Sequence, residues 1–131
     1  MTVYNESMRG ASGKEFNKAK GDFGEAIAVK YLRDKRFKIL ETNYRNLHGE
    51  IDIIAKKDNC IHFIEVKYRQ SLQFGHGRDA VGLRQQGRVR SAANSYLTSK
   101  KLMFKVNSCF DIIEIHRIDG VETIEHLVNC F

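Results

Sequence analysis

Asp52, Glu65 and Lys67 are the residues whose types and spacing could do chemistry. Asp52 stands in Gly49-Glu50-Ile51-Asp52-Ile53-Ile54, and the other two in Phe63-Ile64-Glu65-Val66-Lys67. Both segments have the β-branched, alternating character of strands. Charged groups among large apolar residues in mid-strand are costly unless they are paired or bind a metal. Alternation puts Glu50 and Asp52 on one face, with Ile51 and Ile53 pointing the other way, and puts Glu65 and Lys67 together opposite Ile64 and Val66. Lys57-Asp58-Asn59 has the composition of a short hairpin turn and would make the two strands neighbours. In a suitable register, Asp52, Glu65 and Lys67 meet on one face. Two carboxylates within reach suit a hard divalent cation, Mg²⁺ or Mn²⁺. A lysine two residues beyond one ligand can orient or deprotonate a water, or stabilise charge developing at phosphorus. Metal-assisted phosphodiester hydrolysis needs this equipment. The competing reading is an Asp/Glu–Lys ion-pair ladder on an exposed sheet face.

These residues need elements to position them. The first 13 residues are poor in large apolar groups and are expected to be a flexible tail ahead of a single domain, 14–131. Helical periodicity then runs from about Lys14 to Lys35, with Asp22, Ala26, Lys30 and Arg33 as the polar stripe and Phe23, Ile27 and Tyr31 roughly opposite. Gly21 and Gly24 weaken it locally, which leaves a start nearer Gly21 as the alternative. Glu25 lies off the polar stripe, so it points either towards the sheet, where it could complete a metal shell, or into solvent. Strands are expected at Arg36–Tyr44, Glu50–Lys56 and Cys60–Tyr68, a glycine-containing loop at Ser71–Gly77 and a helix at Arg78–Ser99. Strands at Lys105–Arg117 and Val121–Val128 follow, joined by the hairpin pair Asp119-Gly120. The order αβββαββ indicates an α/β fold, a mixed central sheet flanked by helices.

Composition narrows the function classes. The chain has 131 residues, 22 Lys+Arg and 16 Asp+Glu, for a net charge of +6. It is 42% hydrophobic, enough for a core, which excludes wholesale disorder. No apolar run approaches the roughly 20 residues of a membrane span, and the N-terminus lacks the apolar stretch of a secretory signal. A soluble, cytoplasmic protein without membrane contact is the expectation. Residues 1–101 carry 20 basic and 11 acidic side chains, and 102–131 carry 2 and 5. A positive body with an acidic C-terminal segment suggests a polyanionic partner. Cys60, Cys109 and Cys130 fit no zinc spacing and read as small buried or half-buried thiols. The five histidines show no metal-ligand spacing either.

The motifs add a resemblance. Gly24-Glu25-x-x-Ala28-x-x-Tyr31-Leu32, Asn43-Tyr44-Arg45, Gly49-Glu50-Ile51-Asp52, Phe63-Ile64-Glu65-Val66-Lys67-x-Arg69, Ala80-Val81 and Ala92-Ala93-x-x-Tyr96-Leu97 resemble, in this order, the YraN-like family of uncharacterised bacterial proteins. That family is similar in fold to restriction endonucleases and archaeal Holliday-junction resolvases, with their PD-(D/E)-x-K signature. The resemblance implies a restriction-endonuclease-like core, Asp52 and Glu65 as ligands of Mg²⁺ or Mn²⁺, and Lys67 as the catalytic lysine. It also implies Glu25 as the helix glutamate that completes the site, and Glu50 as an outer-shell group or further ligand. Two positions depart from the pattern: Gln85 replaces a usual lysine, and Cys109 a usual arginine. Both changes remove positive charge that could have met phosphate.

Nucleic acid, DNA in the first instance, is the partner these features favour. Arg69, Arg78, Arg84, Gln86, Arg88 and Arg90 are the candidate contacts. Arg84 and Arg88 are i,i+4 neighbours and would form one ridge able to clamp phosphates. Nothing suggests base reading, so backbone or shape recognition fits better. The leading expectation is a metal-dependent nuclease acting on DNA, branched DNA included, with a homodimer by analogy to resolvases. The alternatives are a nucleic-acid-binding protein that keeps the fold without cutting, and a scaffold for a protein partner.

Overall fold

The computed structural model describes residues 13–70 and 81–131, with 13–20 as helix backbone only. The expected tail, apart from Gly13, and the loop and helix start at 71–80, including Arg78, lie outside these residues. The observed order is α1 (Gly13–Asp34), β1 (Lys38–Asn46), β2 (Gly49–Lys57), β3 (Cys60–Arg69), α2 (Leu83–Ser99), β4 (Asn107–Ile118) and β5 (Val121–Leu127). This is the expected αβββαββ order. The five strands form one mixed sheet in the order β1-β2-β3-β4-β5. β1, β2 and β3 are an antiparallel meander. β3 and β4 run parallel, which requires a crossover, and α2 supplies it. β4 turns back into β5 through Asp119 (φ +51°) and Gly120 (φ +77°), two positive φ values that match the twist of a tight hairpin.

Each sheet face has its own apolar layer. Ala28 and Leu32 of α1 pack on Ile53, Ala55, Ile64, Ile113 and Ile115. Val89, Ala92, Ala93, Tyr96 and Leu97 of α2 pack on Ile54, Ile61, Phe63 and Phe110. Ile64 and Phe63 are consecutive on β3, so period-two alternation places the two helices on opposite faces. No helix among the described residues is long and apolar enough to cross a membrane.

The α1 bounds match the expected Lys14–Lys35 helix without the later start near Gly21, whereas the start of α2 differs from expectation. α1 runs straight through Gly21 and Gly24. Gly24 is there for contact: an ideal Cβ at this position would lie 3.1 Å from Tyr68 Cβ, so the missing side chain lets α1 approach β3. α2 begins at Leu83, after an N-cap Gly82 held extended (φ −66°, ψ 162°) with no side-chain cap. Val81 is buried all the same, so the apolar spacing that suggested an earlier helix start partly belongs to extended chain.

Gly49 has a similar role on the other face. A Cβ there would meet Arg88 Cβ and the Arg88 carbonyl oxygen, both at 3.2 Å. Helix backbone cannot yield as a flexible side chain does. Gly49→Ala is therefore expected to push α2 away from β2 and to cost about 1–2 kcal/mol, the scale of overpacking by one methyl. Urea denaturation measures this, and an unchanged midpoint would contradict the close approach.

Candidate functional site

The candidate site forms where β2 leaves its ladders. Pairing between β2 and β3 runs from Lys57↔Cys60 to Ile53↔Ile64. Pairing between β1 and β2 passes from Thr42↔Ile53 to Tyr44↔Ile51, leaving Asn43 and Asp52 outside the paired positions. Asn43 has φ +52°, a left-handed conformation that asparagine tolerates better than most residues. Ile53 belongs to the α1-side apolar layer and Ile51 to the α2-side layer. Strict alternation would put both on one face, so the expectation that they point the same way is corrected: the pleat breaks at Asp52. The break places Asp52 where groups from both faces can reach it. Its Oδ2 accepts a 2.8 Å hydrogen bond from the Val66 N–H, a donor beyond the last β3 position paired with β2.

Glu65 lies beside Asp52 and is only 6% exposed. The two carboxyl groups are close enough for the charge of Asp52 to act directly on Glu65. Gln85 of α2 donates from Nε2 to Glu65 Oε2 at 2.8 Å, and Lys67 Nζ is 3.6 Å from the same oxygen. Burial, and then the Asp52 charge, push Glu65 up to about 8. Burial also raises Asp52, partly offset by the Val66 hydrogen bond. Glu25 comes in from α1. Burial and the Asp52 charge push it up to about 7, against a hydrogen bond from the Asn43 side chain. Glu50 adds negative charge to both Glu25 and Asp52 and is paired with Arg45 at 3.2 Å. Desolvation and mutual repulsion thus disfavour ionisation of all three carboxyl groups, and a cation would relieve both effects.

An open cleft of ≈ 840 Å³ leads to this cluster, with Arg45, Arg84 and Arg88 on its walls beside Asp52, Glu65 and Gln85. The other candidate nucleic-acid contacts are placed differently. Arg69 ends β3. Gln86 uses its Nε2 on the Val81 carbonyl at 2.9 Å. Arg90 lies over the Phe110 ring, 4.6 Å from its centroid.

The sequence matches the model of "Uncharacterised protein family UPF0102" over residues 24–115. The chain belongs to the UPF0102 family. A UPF0102 protein of Syntrophomonas wolfei is 42% identical over 115 residues, which is 88% of this chain and 99% of the relative. One of Clostridioides difficile is 42% identical over 115 residues, 88% of this chain and 98% of its own. One of Clostridium perfringens is 45% identical over 103 residues, 79% and 84% respectively. The UPF0102 segment, 24–115, contains Glu25, Glu50, Asp52, Glu65 and Lys67.

This UPF0102 protein has a second polar cluster, on the α1 face of the sheet, that residue spacing did not reveal. One ligand-type atom each from Cys60, His62 and Cys109 lie within 4.8 Å of one another, and such a group could hold a metal. Spacing along the chain showed no metal-ligand pattern among these residues, yet the fold brings three of them together. Parallel pairing of β3 with β4 sets His62 directly beside Cys109, a proximity that appears only once the crossover through α2 is made. Next to them, buried Asp111 accepts from His62 Nδ1 at 2.7 Å, His126 Nε2 at 2.8 Å and the Asn129 N–H at 2.8 Å. Burial alone would raise Asp111; the hydrogen bonds from His126, His62 and Asn129 outweigh it and hold the group below its ordinary value. Burial and Cys109 push the Cys60 thiol up to about 12.

Proposed function

We propose that this chain is a divalent-metal-dependent nuclease that hydrolyses DNA phosphodiester bonds, branched DNA included. The observation that carries this reading is the convergence of Asp52, Glu65 and Glu25 at the break in β2, with Lys67 against Glu65. The all-oxygen donor set suits Mg²⁺ or Mn²⁺. When bound, the ion supplies Lewis acidity to the scissile phosphate and lowers the pKa of a bound water. Asp52 and Glu65 hold it, with Glu25 completing the shell and Glu50 outside it. The Val66 N–H fixes Asp52 so that one carboxylate oxygen is already oriented. Lys67, near Glu65 in a largely buried setting, positions the attacking water and offsets charge on the phosphate oxygens. Arg45, Arg84 and Arg88 on the cleft walls supply phosphate contacts that carry no base code, with Arg69 and Arg78 as further candidates. Two cuts in a duplex need two sites, so by analogy with resolvases the reading extends to a homodimer.

A second reading, a protein that binds nucleic acid without cutting it, draws on Gln85. Its 2.8 Å hydrogen bond occupies Glu65 Oε2, an oxygen that a metal would need. A neutral amide also adds no charge towards phosphate.

Incubation with supercoiled, linear and four-way-junction DNA in Mg²⁺, Mn²⁺ or EDTA separates the two. The nuclease reading expects metal-dependent products that disappear with EDTA and with Lys67→Ala. Tight, salt-sensitive binding without products supports the second reading. Absence of both binding and cutting removes the nucleic-acid assignment.

A further inference from the structure

We propose that Cys60, His62 and Cys109 bind one Zn²⁺ through two thiolates and one imidazole nitrogen. This site is separate from the carboxylate cluster. It lies on the α1 face of the sheet, whereas Glu65, three residues along β3, falls on the α2 face by alternation.

Four features of the cluster support the assignment. The first is the ligand set. Two cysteines and a histidine are a borderline-soft combination typical of zinc, unlike the oxygen-only donors around Asp52. The second is spacing. The three donor atoms fall within 4.8 Å of one another, and ligands on a tetrahedral zinc stand about 3.3–3.8 Å apart given its bond lengths. Small side-chain adjustments therefore suffice. The Cys60 and Cys109 sulfurs are direct neighbours and need to part by only about 1 Å to take adjacent tetrahedral positions.

The third feature is the state of His62. Asp111 is fully buried and accepts hydrogen bonds from His62 Nδ1, His126 Nε2 and the Asn129 amide. With the carboxylate as acceptor, Nδ1–H of His62 points at Asp111, and in the neutral ring that leaves the lone pair on Nε2. A carboxylate holding the far nitrogen of a histidine is the usual support of a zinc ligand, fixing its tautomer and raising its basicity. The fourth is access. His62 is buried, but Cys60 and Cys109 are half-exposed, so the ion can enter and solvent water can take the fourth position. Binding converts two thiols to thiolates and releases their two protons to solvent.

The consequence is a clip between β3 and β4. These strands pair only after the chain has made the α2 crossover, and Asp111 extends the connection to His126 of β5 and to Asn129. Metal affinity at such a place adds directly to fold stability.

Co²⁺ and Zn²⁺ titration of the fully reduced protein tests this, with an Asp52→Ala background to keep the carboxylate cluster out of the reading. Expected are one Co²⁺ per chain with an intense thiolate-to-cobalt charge-transfer band, its displacement by Zn²⁺, and a rise in Tm with Zn²⁺. Cys109→Ser should weaken affinity at least about tenfold and remove most of the band, and His62→Gln should act in the same direction. If either variant fails to fold, the wild-type spectrum and stoichiometry decide alone. A reduced protein without the band, or a Cys109→Ser variant with an unchanged titration, overturns the proposal. So does a Cys60–Cys109 disulfide whose reduction yields no zinc binding. Failure here leaves DNA cutting untouched, and failure of DNA cutting leaves the Co²⁺ spectrum untouched.

Discussion

Asp52→Ala is expected to abolish Mg²⁺-dependent DNA cutting and, in the same protein, the rise in Tm that Mg²⁺ produces. Several effects act together. The substitution removes one metal oxygen, removes the acceptor of the Val66 N–H, and removes the group whose charge raises both Glu25 and Glu65. Loss of a ligand at a metal that polarises phosphate should lower the cutting rate at least about 10³-fold, which corresponds to about 4 kcal/mol of barrier. The pH dependence gives an independent check. Glu65 is raised to about 8 and Glu25 to about 7 in the folded chain. A carboxyl group raised on folding contributes stability that is fully present below its ordinary value and lost as pH rises through the folded value. The metal-free protein should therefore lose stability as pH climbs from the ordinary 4.5 towards about 7 for Glu25 and about 8 for Glu65, and level off above that. Mg²⁺ must displace those protons, so its thermal shift should be small in acid and grow to a plateau above the Glu65 value. Asp52→Ala should flatten both trends. An equal Mg²⁺ shift in wild type and Asp52→Ala, measured across that pH range, would remove these carboxylates from the metal assignment.

Asp111→Ala should have the largest effect on stability. Its side chain is fully buried and satisfies three donors. Removing it leaves the buried His62, the half-buried His126 and the Asn129 amide without their acceptor, a loss of about 3–5 kcal/mol. Small domains are stable by only about 5–15 kcal/mol, so the variant would be close to unfolded. Chemical denaturation with reductant and chelator present isolates this term from any bound metal, and a loss under about 1 kcal/mol would contradict it. Asp111→Asn keeps one acceptor oxygen and should fall between. Because Asp111 is lowered on folding, its contribution is in place above the ordinary carboxylate value and is lost as pH falls through the folded one. The acid limb of the stability curve should accordingly be shallower in Asp111→Asn.

Local pattern carried much of this molecule. Alternating β-branched segments located all five strands, and the Asp58 and Asp119-Gly120 turns located two hairpins. Glu65-x-Lys67 stood out because charges in mid-strand need a reason. Both helices were visible from apolar spacing, although Val81 suggested too early a start for α2 and Gly24 read as a weak point in α1. A glycine inside a helical period looks like weakness until the partner it approaches is known, and for Gly24 that partner is Tyr68, far along the chain.

Other features depend on three-dimensional contact. Asn43 matters because its left-handed backbone leaves the ladder opposite Asp52 and its side chain bonds Glu25. Gln85, which as sequence was only a missing lysine, donates to Glu65. Arg90, one of an apparent basic row on α2, lies over Phe110 instead of lining the cleft with Arg84 and Arg88. Cys60 and Cys109, 49 residues apart, become neighbours only because β3 and β4 pair in parallel.

Residue type and short-range period therefore determined the element order, the sheet-and-helix class and the identity of the acidic and basic candidates, because burial of an amphipathic face acts within a few residues. Tertiary structure alone decided which carboxylates converge, which arginines reach the cleft and that Cys60, His62 and Cys109 form a cluster. Those outcomes rest on strand register, on one break in the pleat at Asp52 and on a crossover between distant strands, and none of these leaves a periodic trace in the chain.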